Sequence, residues 1–110
     1  MRLPNAEAAE VDPEKLKGYL LSQTHPIGRS KAKFFRSIGF DESHVTILEQ
    51  GLIEIARTEE IADTAPSVHG VKYIIDGLIM TPSGSRVRLR TVWILDSGQG
   101  RPRFVTAYPM

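Results

Sequence analysis

The chain has 110 residues, no cysteine and a formal net charge of +1, with 41% hydrophobic and 25% charged residues. These values are typical of an ordinary soluble globular protein, and they exclude disulfides, thiolate metal sites and cysteine nucleophiles. The length predicts a single domain over residues 1–110. No apolar run approaches the ~20 residues that a membrane-spanning helix needs, and no secretory leader is predicted. A cytoplasmic location without membrane contact is therefore expected.

The first half of the chain, residues 12–62, is predicted to be helical. Asp12-Pro13 is typical of a helix start, because aspartate caps the first turn and proline is tolerated at its first position. A second helix is expected from about Gly28 to Ser37, with Gly39 just beyond its end. Asp41 is expected to cap a third helix. Apolar residues recur at helical spacing in the first and third helices: Leu16, Tyr19 and Leu20, and then Val45, Leu48, Leu52 and Ile55.

The second half, residues 68–109, is predicted to be an antiparallel meander. The segment from Thr64 to Ser67 is expected to break the chain, and turns are expected at 81–84 and 97–100. β-branched and aromatic residues predict three strands, over 71–80, 86–96 and 103–108. Trp93 is expected in the core because its neighbours on that strand face are aliphatic. The predicted fold class is α+β, with three N-terminal helices packed on a C-terminal antiparallel sheet of three to four strands.

Charge is segregated along the chain. Between Lys15 and Arg36 there are six basic residues and no acidic one, whereas from Asp41 to Asp63 there are seven acidic residues and one basic one. From residue 66 onward the chain is basic again, with six basic residues against two acidic ones. If the two basic blocks meet in the fold, they form a cationic site suited to a phosphodiester.

His25 lies at the edge of the first basic block, just before a helix start. A neutral imidazole can take a proton from a ribose 2′-hydroxyl, and an imidazolium can return one to the leaving 5′-oxygen. The alternative is an exposed loop histidine without a role. His44 and His69 have no spaced partners and are interpreted as structural. No cluster of His, Asp and Glu has the spacing of metal ligands, so neither a metal nor another cofactor is predicted.

The second helix carries four basic residues that are candidates for phosphate binding: Arg29, Lys31, Lys33 and Arg36. Arg29 shares a helix face with Lys33 and Arg36, whereas Lys31 lies off that row. The open amides near Gly28 would add to an anion site. The alternative is a solvated helix face that binds nothing.

Three arginines, Arg86, Arg88 and Arg90, alternate on one face of a predicted strand. Like charges in a row repel one another, so an anionic group is expected against them. A nucleic acid would serve, and so would the acidic helix between Asp41 and Asp63, in an internal ion-pair network that needs no ligand. The final strand adds two candidates for orienting a phosphate or supplying a general acid, Thr106 and Tyr108.

Three stretches of the chain carry a resemblance to a known family. They are Leu3-Pro4-Asn5-Ala6, the helix start His25-Pro26-Ile27-Gly28-Arg29-Ser30-Lys31-Ala32-Lys33-Phe34-Phe35, and Thr106-Ala107-Tyr108-Pro109. With them the chain resembles, over nearly its whole length, a family of small bacterial proteins of unknown function. In layout that family is similar to the metal-independent ribonuclease toxins of the barnase–EndoU–colicin–RelE superfamily, which place helices before an antiparallel sheet.

The resemblance implies a site built from both halves of the chain, and the step from layout to function is fold-level analogy. The residues that it implies are His25, Lys31, Arg90, Thr106 and Tyr108, to which the basic blocks add Arg29 and Arg88 for substrate binding. The predicted function is a ribonuclease toxin that cleaves RNA by attack of the 2′-hydroxyl, with RNA and an acidic antitoxin or immunity protein as partners. The alternative is a non-catalytic binding module, either antitoxin-like, immunity-like or accessory. The net charge of +1 is lower than such toxins usually carry, which leaves room for a non-catalytic member of the family or for a different ligand.

Overall fold

The computed structural model describes residues 1–22, 24–25, 29–96 and 100–110. Within them, helix α1 spans Pro13–Lys15 and continues as a π-helical turn over Leu16–Leu20, α2 spans Arg29–Ser37, and α3 spans Val45–Thr58. The strands that follow are β1 (Ile61–Ser67), β2 (Gly70–Met80), β3 (Arg86–Asp96) and β4 (Arg103–Pro109). The predicted α+β class, with helices before an antiparallel sheet, is therefore confirmed. None of the described helices is long and apolar enough to cross a membrane.

Capping residues satisfy the first amides of α1 and of the turn that leads into α3. The Asp12 carboxylate accepts a hydrogen bond from the Glu14 amide at 2.9 Å, and Pro13 occupies the first helical position. The Asp41 carboxylate accepts one from the Ser43 amide, also at 2.9 Å. The prediction for Asp12 is confirmed, because its carboxylate replaces a partner that the helix itself cannot provide. Asp41 instead caps the short 3₁₀ turn Glu42–His44 that precedes α3, and His44 is the residue before the first turn of α3.

α2 ends at a glycine that reverses the chain. Gly39 has a φ of +101°, a conformation that strains any residue with a side chain. The reversal allows the Phe40 amide to donate to the Phe35 carbonyl at 3.0 Å, and it places both rings in the core. The prediction for Gly39 is confirmed, whereas the predicted start of α2 at Gly28 lies outside the described residues.

One antiparallel sheet contains the four strands, in the spatial order β1-β2-β3-β4. Strands that are consecutive in sequence are therefore neighbours in space, as expected of a meander. Side chains alternate between the two faces of the sheet. In β3, Leu89 and Trp93 face the helices, whereas Arg88 and Arg90 point to the open face.

β1 corrects the prediction for residues 64–67. The segment expected to break the chain belongs to the strand, and Pro66 lies opposite Val71 of β2. Proline is tolerated there because β1 is an edge strand, in which the outward-facing amides need no partner. The helical half accordingly ends at Thr58 and not near residue 62. Of the two predicted turns, 81–84 joins β2 to β3, and 97–99 lies outside the described residues.

The core lies between α3 and the inner face of the sheet. α3 packs on β2 at Gly77, where a Cβ atom would come within 2.9 Å of the Ile55 side chain. Trp93 is fully buried, as predicted. Its indole N–H donates to the Thr91 hydroxyl at 2.9 Å, and that hydroxyl donates to the Ile75 carbonyl at 2.6 Å. These polar groups are stable in the core because each has a hydrogen-bond partner.

Candidate active site

Tyr19 is the centre of a polar cluster that joins the helices to the sheet. It lies in the π-helical turn after α1 and is half-buried. Its hydroxyl lies 3.1 Å from the hydroxyl of Thr106 in β4, although 87 positions separate the two residues along the chain. Because each hydroxyl can both donate and accept, the pair can reorient its protons when a third polar group binds.

Three basic side chains surround the ring of Tyr19. The His25 ring meets it edge-on, with 5.1 Å between the ring centroids and 85° between the planes. The ammonium groups of Lys15 and Lys31 lie 5.2 and 5.8 Å from the centroid of the Tyr19 ring. Both distances allow a cation–π interaction, worth about 0.5–1 kcal/mol at an exposed site. The structure therefore brings together three of the predicted residues, His25, Lys31 and Thr106, and Tyr19 connects them.

A β-bulge in β4 determines which of its side chains reach this cluster. The register between β3 and β4 shifts by one residue, so that Val105 is extra. In a regular strand, residues two positions apart share a face, so Phe104 would lie on the same face as Thr106. With the extra residue, Phe104 packs in the core against Trp93, at 5.4 Å between ring centroids, and Thr106 lies on the open face. Tyr108, two residues further on, shares that face with Thr106.

Tyr108 lies directly opposite Arg90 of β3. The Arg90 guanidinium donates from Nε and Nη2 to the two carboxylate oxygens of Asp76 on β2, at 2.8 and 2.9 Å. These hydrogen bonds, together with the charges of Arg90 and Arg88, hold the pKa of Asp76 below its usual value in spite of partial burial. The same hydrogen bonds raise the pKa of Arg90. Arg90 is therefore a charged group held in a fixed orientation beside Tyr108.

The carboxylate that pairs with the row of Arg86, Arg88 and Arg90 does not belong to the acidic helix, which was one of the two expected partners. α3 packs on the opposite face of the sheet, and the pairing carboxylate is Asp76 of the neighbouring strand. Asp63, the last residue of the acidic block, lies in β1 and adds a weaker charge interaction with Arg90. Arg86 and Arg88 form no salt bridge with another described residue. The internal network thus satisfies one arginine of the three.

Arg29, predicted to bind substrate, is not part of the Tyr19 cluster. It lines a separate groove of about 540 Å³ together with Ser30, Lys33 and Arg36. Helix geometry explains why it is apart from Lys31, since two residues correspond to a rotation of about 200° around the helix axis. Arg29, Lys33 and Arg36 share one side of α2, as their spacing predicted, and Lys31 lies on another.

Two residues of the cluster were not predicted to be functional, Tyr19 and Lys15. The sequence pattern assigned Tyr19 to an apolar stripe with Leu16 and Leu20, which are fully buried, whereas Tyr19 keeps its hydroxyl at the surface of the core. One signal was available in the sequence. Lys15 and Tyr19 are four residues apart, the spacing at which side chains meet on a helix, and Tyr19 lies inside the basic block.

The Tyr19 cluster, together with Tyr108 and Arg90 on the same face of the sheet as Thr106, offers groups for acid–base chemistry on an anion. An imidazole can exchange a proton near neutral pH, and the hydroxyls of Tyr19, Thr106 and Tyr108 can donate to phosphate oxygens. The ammonium of Lys31 and the guanidinium of Arg90 supply fixed positive charge. No three His, Asp or Glu side chains of the described residues are grouped as the ligands of a metal ion.

Fold and cluster together define a small α+β protein with one antiparallel meander and a basic, hydroxyl-rich site at the junction of its helices with β4. The chain belongs to the family of the domain of unknown function DUF6883, whose sequence profile matches residues 2–110. No curated protein matches it in sequence. A chain of the solved "Contact-dependent growth inhibition toxin - immunity protein complex from Klebsiella pneumoniae 342" is similar in structure, with a TM-score of 0.72, 17% sequence identity and coverage of 97% of each chain. At that identity the similarity shows a shared fold.

Proposed function

We propose that the protein is a toxin of a bacterial toxin–immunity system and acts as a metal-independent endoribonuclease. The observation that carries the proposal is the cluster around Tyr19, in which His25 and Lys31 of the helical half and Thr106 of β4 all contact the same tyrosine. Cleavage of RNA by its own 2′-hydroxyl needs a general base and positive charge at the phosphate, and an imidazole and an ammonium group can supply them, with hydroxyls to orient the phosphate. The fold shared with a chain of a toxin–immunity complex supports the proposal.

In the proposed reaction, neutral His25 takes the proton of a ribose 2′-hydroxyl, whose oxygen forms a bond to the adjacent phosphorus. The bond between phosphorus and the 5′-oxygen then breaks, and Tyr108 donates a proton to that leaving oxygen. The products are a 2′,3′-cyclic phosphate and a free 5′-hydroxyl. His25 releases its proton to water and Tyr108 takes one back, which restores both residues. DNA has no 2′-hydroxyl and is not cleaved.

Lys31 and Arg90 stabilise the negative charge that develops on the pentacovalent phosphorus. The pairing of Arg90 with Asp76 uses its Nε and one Nη2 hydrogen, so the remaining hydrogens of the guanidinium are able to reach a phosphate oxygen. The orientation of Arg90 is fixed before substrate binds, which avoids reorganisation during the reaction. Arg88, exposed on the same strand face, adds charge that attracts RNA. A partner with acidic side chains would inhibit the protein by covering this surface.

The second candidate function is a binding module that breaks no bond. The observation in its favour is the Arg90–Asp76 pair, because it satisfies the central arginine of the row without a ligand. In this function the open face of the sheet would hold RNA or a protein through Arg86 and Arg88. It requires no acid–base role for His25, and that difference separates the two functions experimentally.

The test is cleavage of total RNA by the purified protein in EDTA, beside His25→Ala and Lys31→Ala. We expect removal of His25 to slow cleavage by about 10²-fold or more, the usual effect of losing a general acid or base. His69→Ala and Lys17→Ala are matched controls, since each removes the same side chain from an exposed position. Analysis of the product ends should show 2′,3′-cyclic phosphates. Absence of cleavage by the wild-type protein would reject the ribonuclease and leave the binding module.

A further inference from the structure

The groove beside α2 differs in charge from two other grooves of the described residues. Its described lining contains three cationic side chains and no carboxylate: Arg29, Lys33 and Arg36, with Ser30 between them. The groove between α3 and the β2–β3 hairpin contains both Glu54 and Arg86. The groove beside β4 contains two carboxylates with two cations. A groove whose charges are all positive attracts an anion, whereas in a groove of mixed charge the opposite charges offset one another.

Internal contacts hold one of the three cationic side chains in place, and they leave the other two without a salt bridge among the described residues. Arg36 donates from Nε and Nη2 to the Leu21 carbonyl, at 3.1 and 2.8 Å, and also pairs with the Glu42 carboxylate. That pairing lowers the pKa of Glu42, so the carboxylate is charged and offsets Arg36. Arg29 and Lys33 are exposed and form no salt bridge with another described residue. The groove therefore has a rigid basic wall and two uncompensated charges.

We propose that the groove of Arg29 and Lys33 is a second phosphate site, which binds the RNA strand beyond the bond that is cleaved. This inference rests on the proposed ribonuclease function and adds the path of the substrate to it. α2 carries Lys31 towards the Tyr19 cluster and Arg29 and Lys33 on its other side. A helix with its side chains is about 10–12 Å across, so a strand of a few nucleotides that crosses α2 reaches both sites. Contacts of this kind position the strand and do not read its sequence.

RNA is favoured over an acidic protein because the two sites lie on one short helix. α2 has nine residues, and it carries basic side chains and no acidic ones on both of its sides. A polyanion with a phosphate at every nucleotide can occupy both sites at once. Single side-chain carboxylates of a folded partner have no such regular spacing.

Substrate length gives the decisive kinetic test. A dinucleoside monophosphate has only the phosphate that is cleaved, whereas an oligonucleotide of about 20 nucleotides extends across α2. We expect Arg29→Ala/Lys33→Ala to lower kcat/KM for the oligonucleotide by about tenfold or more, mainly through KM, as loss of strand-positioning contacts predicts. Its kcat/KM for the dinucleotide should equal that of the wild type. The control Arg2→Ala/Arg101→Ala removes two exposed charges elsewhere. Equal losses on both substrates, or equal losses in the control, would overturn the proposal.

A binding measurement tests the groove without catalysis. The probe is an all-2′-deoxy oligonucleotide, which resists attack by a 2′-hydroxyl, and its affinity is measured at several salt concentrations. Each phosphate contact on a single strand contributes about 0.7 to the slope of log affinity against log salt, so removal of Arg29 and Lys33 should reduce the slope by about 1.4. A reduced slope in a protein that cleaves no RNA would support the groove while rejecting the ribonuclease. An unchanged slope in a protein that does cleave would overturn the groove alone, in favour of a protein ligand.

Discussion

The Tyr19 hydroxyl lies 3.1 Å from the Thr106 hydroxyl and joins the first helical segment to β4. Tyr19→Phe removes only the oxygen and keeps the ring that Lys15 and Lys31 contact. We expect RNA cleavage to slow by about tenfold or more, because Thr106 loses the partner that orients it. The melting temperature should change by a few degrees at most, since one part-buried hydrogen bond contributes about 1 kcal/mol. Initial rates and thermal unfolding of the same preparations provide the measurement.

A double variant tests whether the hydroxyls of Tyr19 and Thr106 act together. If the two hydroxyls act together, Thr106→Val should slow cleavage as Tyr19→Phe does, and the double variant should lose little more than either single one. Losses that multiply in the double variant would show independent roles and contradict the proposed arrangement. Tyr73→Phe is the control, because it removes a tyrosine hydroxyl from the other face of the sheet.

Acid should weaken the protein through Asp76. Its pKa is lowered in the folded state, mainly by the hydrogen bonds from Arg90, so the unfolded chain binds the proton more tightly. The stabilisation is therefore complete above the unfolded pKa of about 3.9 and is lost as the pH falls through the lower folded pKa. Asp76→Asn should reduce the free energy of unfolding by about 1 kcal/mol at pH 7, and the difference should vanish in strong acid.

Urea unfolding of wild type and Asp76→Asn at pH 7 and at several values below 4 measures this effect. A difference that stays constant over the whole range would contradict the ion pair as its origin. Arg90→Lys is the companion variant, since it keeps the charge but loses the two parallel hydrogen bonds. It should be intermediate in stability at pH 7.

The buried hydroxyl of Thr91 should matter more than its size suggests. Thr91→Val keeps the shape but leaves the indole N–H of Trp93 without an acceptor inside the core. We expect the free energy of unfolding to fall by about 1–3 kcal/mol, the cost of one unsatisfied buried donor. Thr64→Val, on the exposed strand β1, should change it by less than about 0.5 kcal/mol. Equal effects in urea titrations of the two variants would disprove the role given to the hydroxyl.

Two glycines should respond in opposite ways to alanine. Gly70 has a φ of +152°, and a Cβ atom there would lie 2.2 Å from the Leu95 carbonyl oxygen in the paired strand. Gly70→Ala should therefore destabilise the protein by more than about 1 kcal/mol. Gly18 has no atom within 4 Å of such a Cβ, and Gly18→Ala should leave stability unchanged or raise it. Thermal unfolding of both variants checks the contrast.

Local sequence patterns predicted most elements and not how they meet. The alternation from Arg86 to Arg90 identified β3 because a strand repeats every two residues. Thr64–Ser67 was misassigned because proline and small polar residues are typical of turns as well as of edge strands. The pairing of Arg90 with Asp76 depends on a register that a shift of one residue would change. No short sequence pattern predicts that register.

The candidate site shows the same division. The position of His25 beside the basic block predicted that it lies near Lys31 in the fold. The alternation of the final strand predicted a shared face for Thr106 and Tyr108. The connection through Tyr19 depends on the angle at which a π-helical turn meets β4, and on the extra residue Val105. Both are properties of tertiary packing, which has no signature within a short window of sequence.

The position of β4 after the other strands determines when the Tyr19 cluster can form during synthesis of the chain. Tyr19 and His25 are synthesised before the sheet, and Thr106 can join them only after β2 and β3 have been synthesised and have paired. A growing chain therefore has no complete Tyr19 cluster until β4 has been synthesised and has paired with β3. Under the proposed function, cleavage of RNA would therefore begin only after the last strand of the sheet has folded.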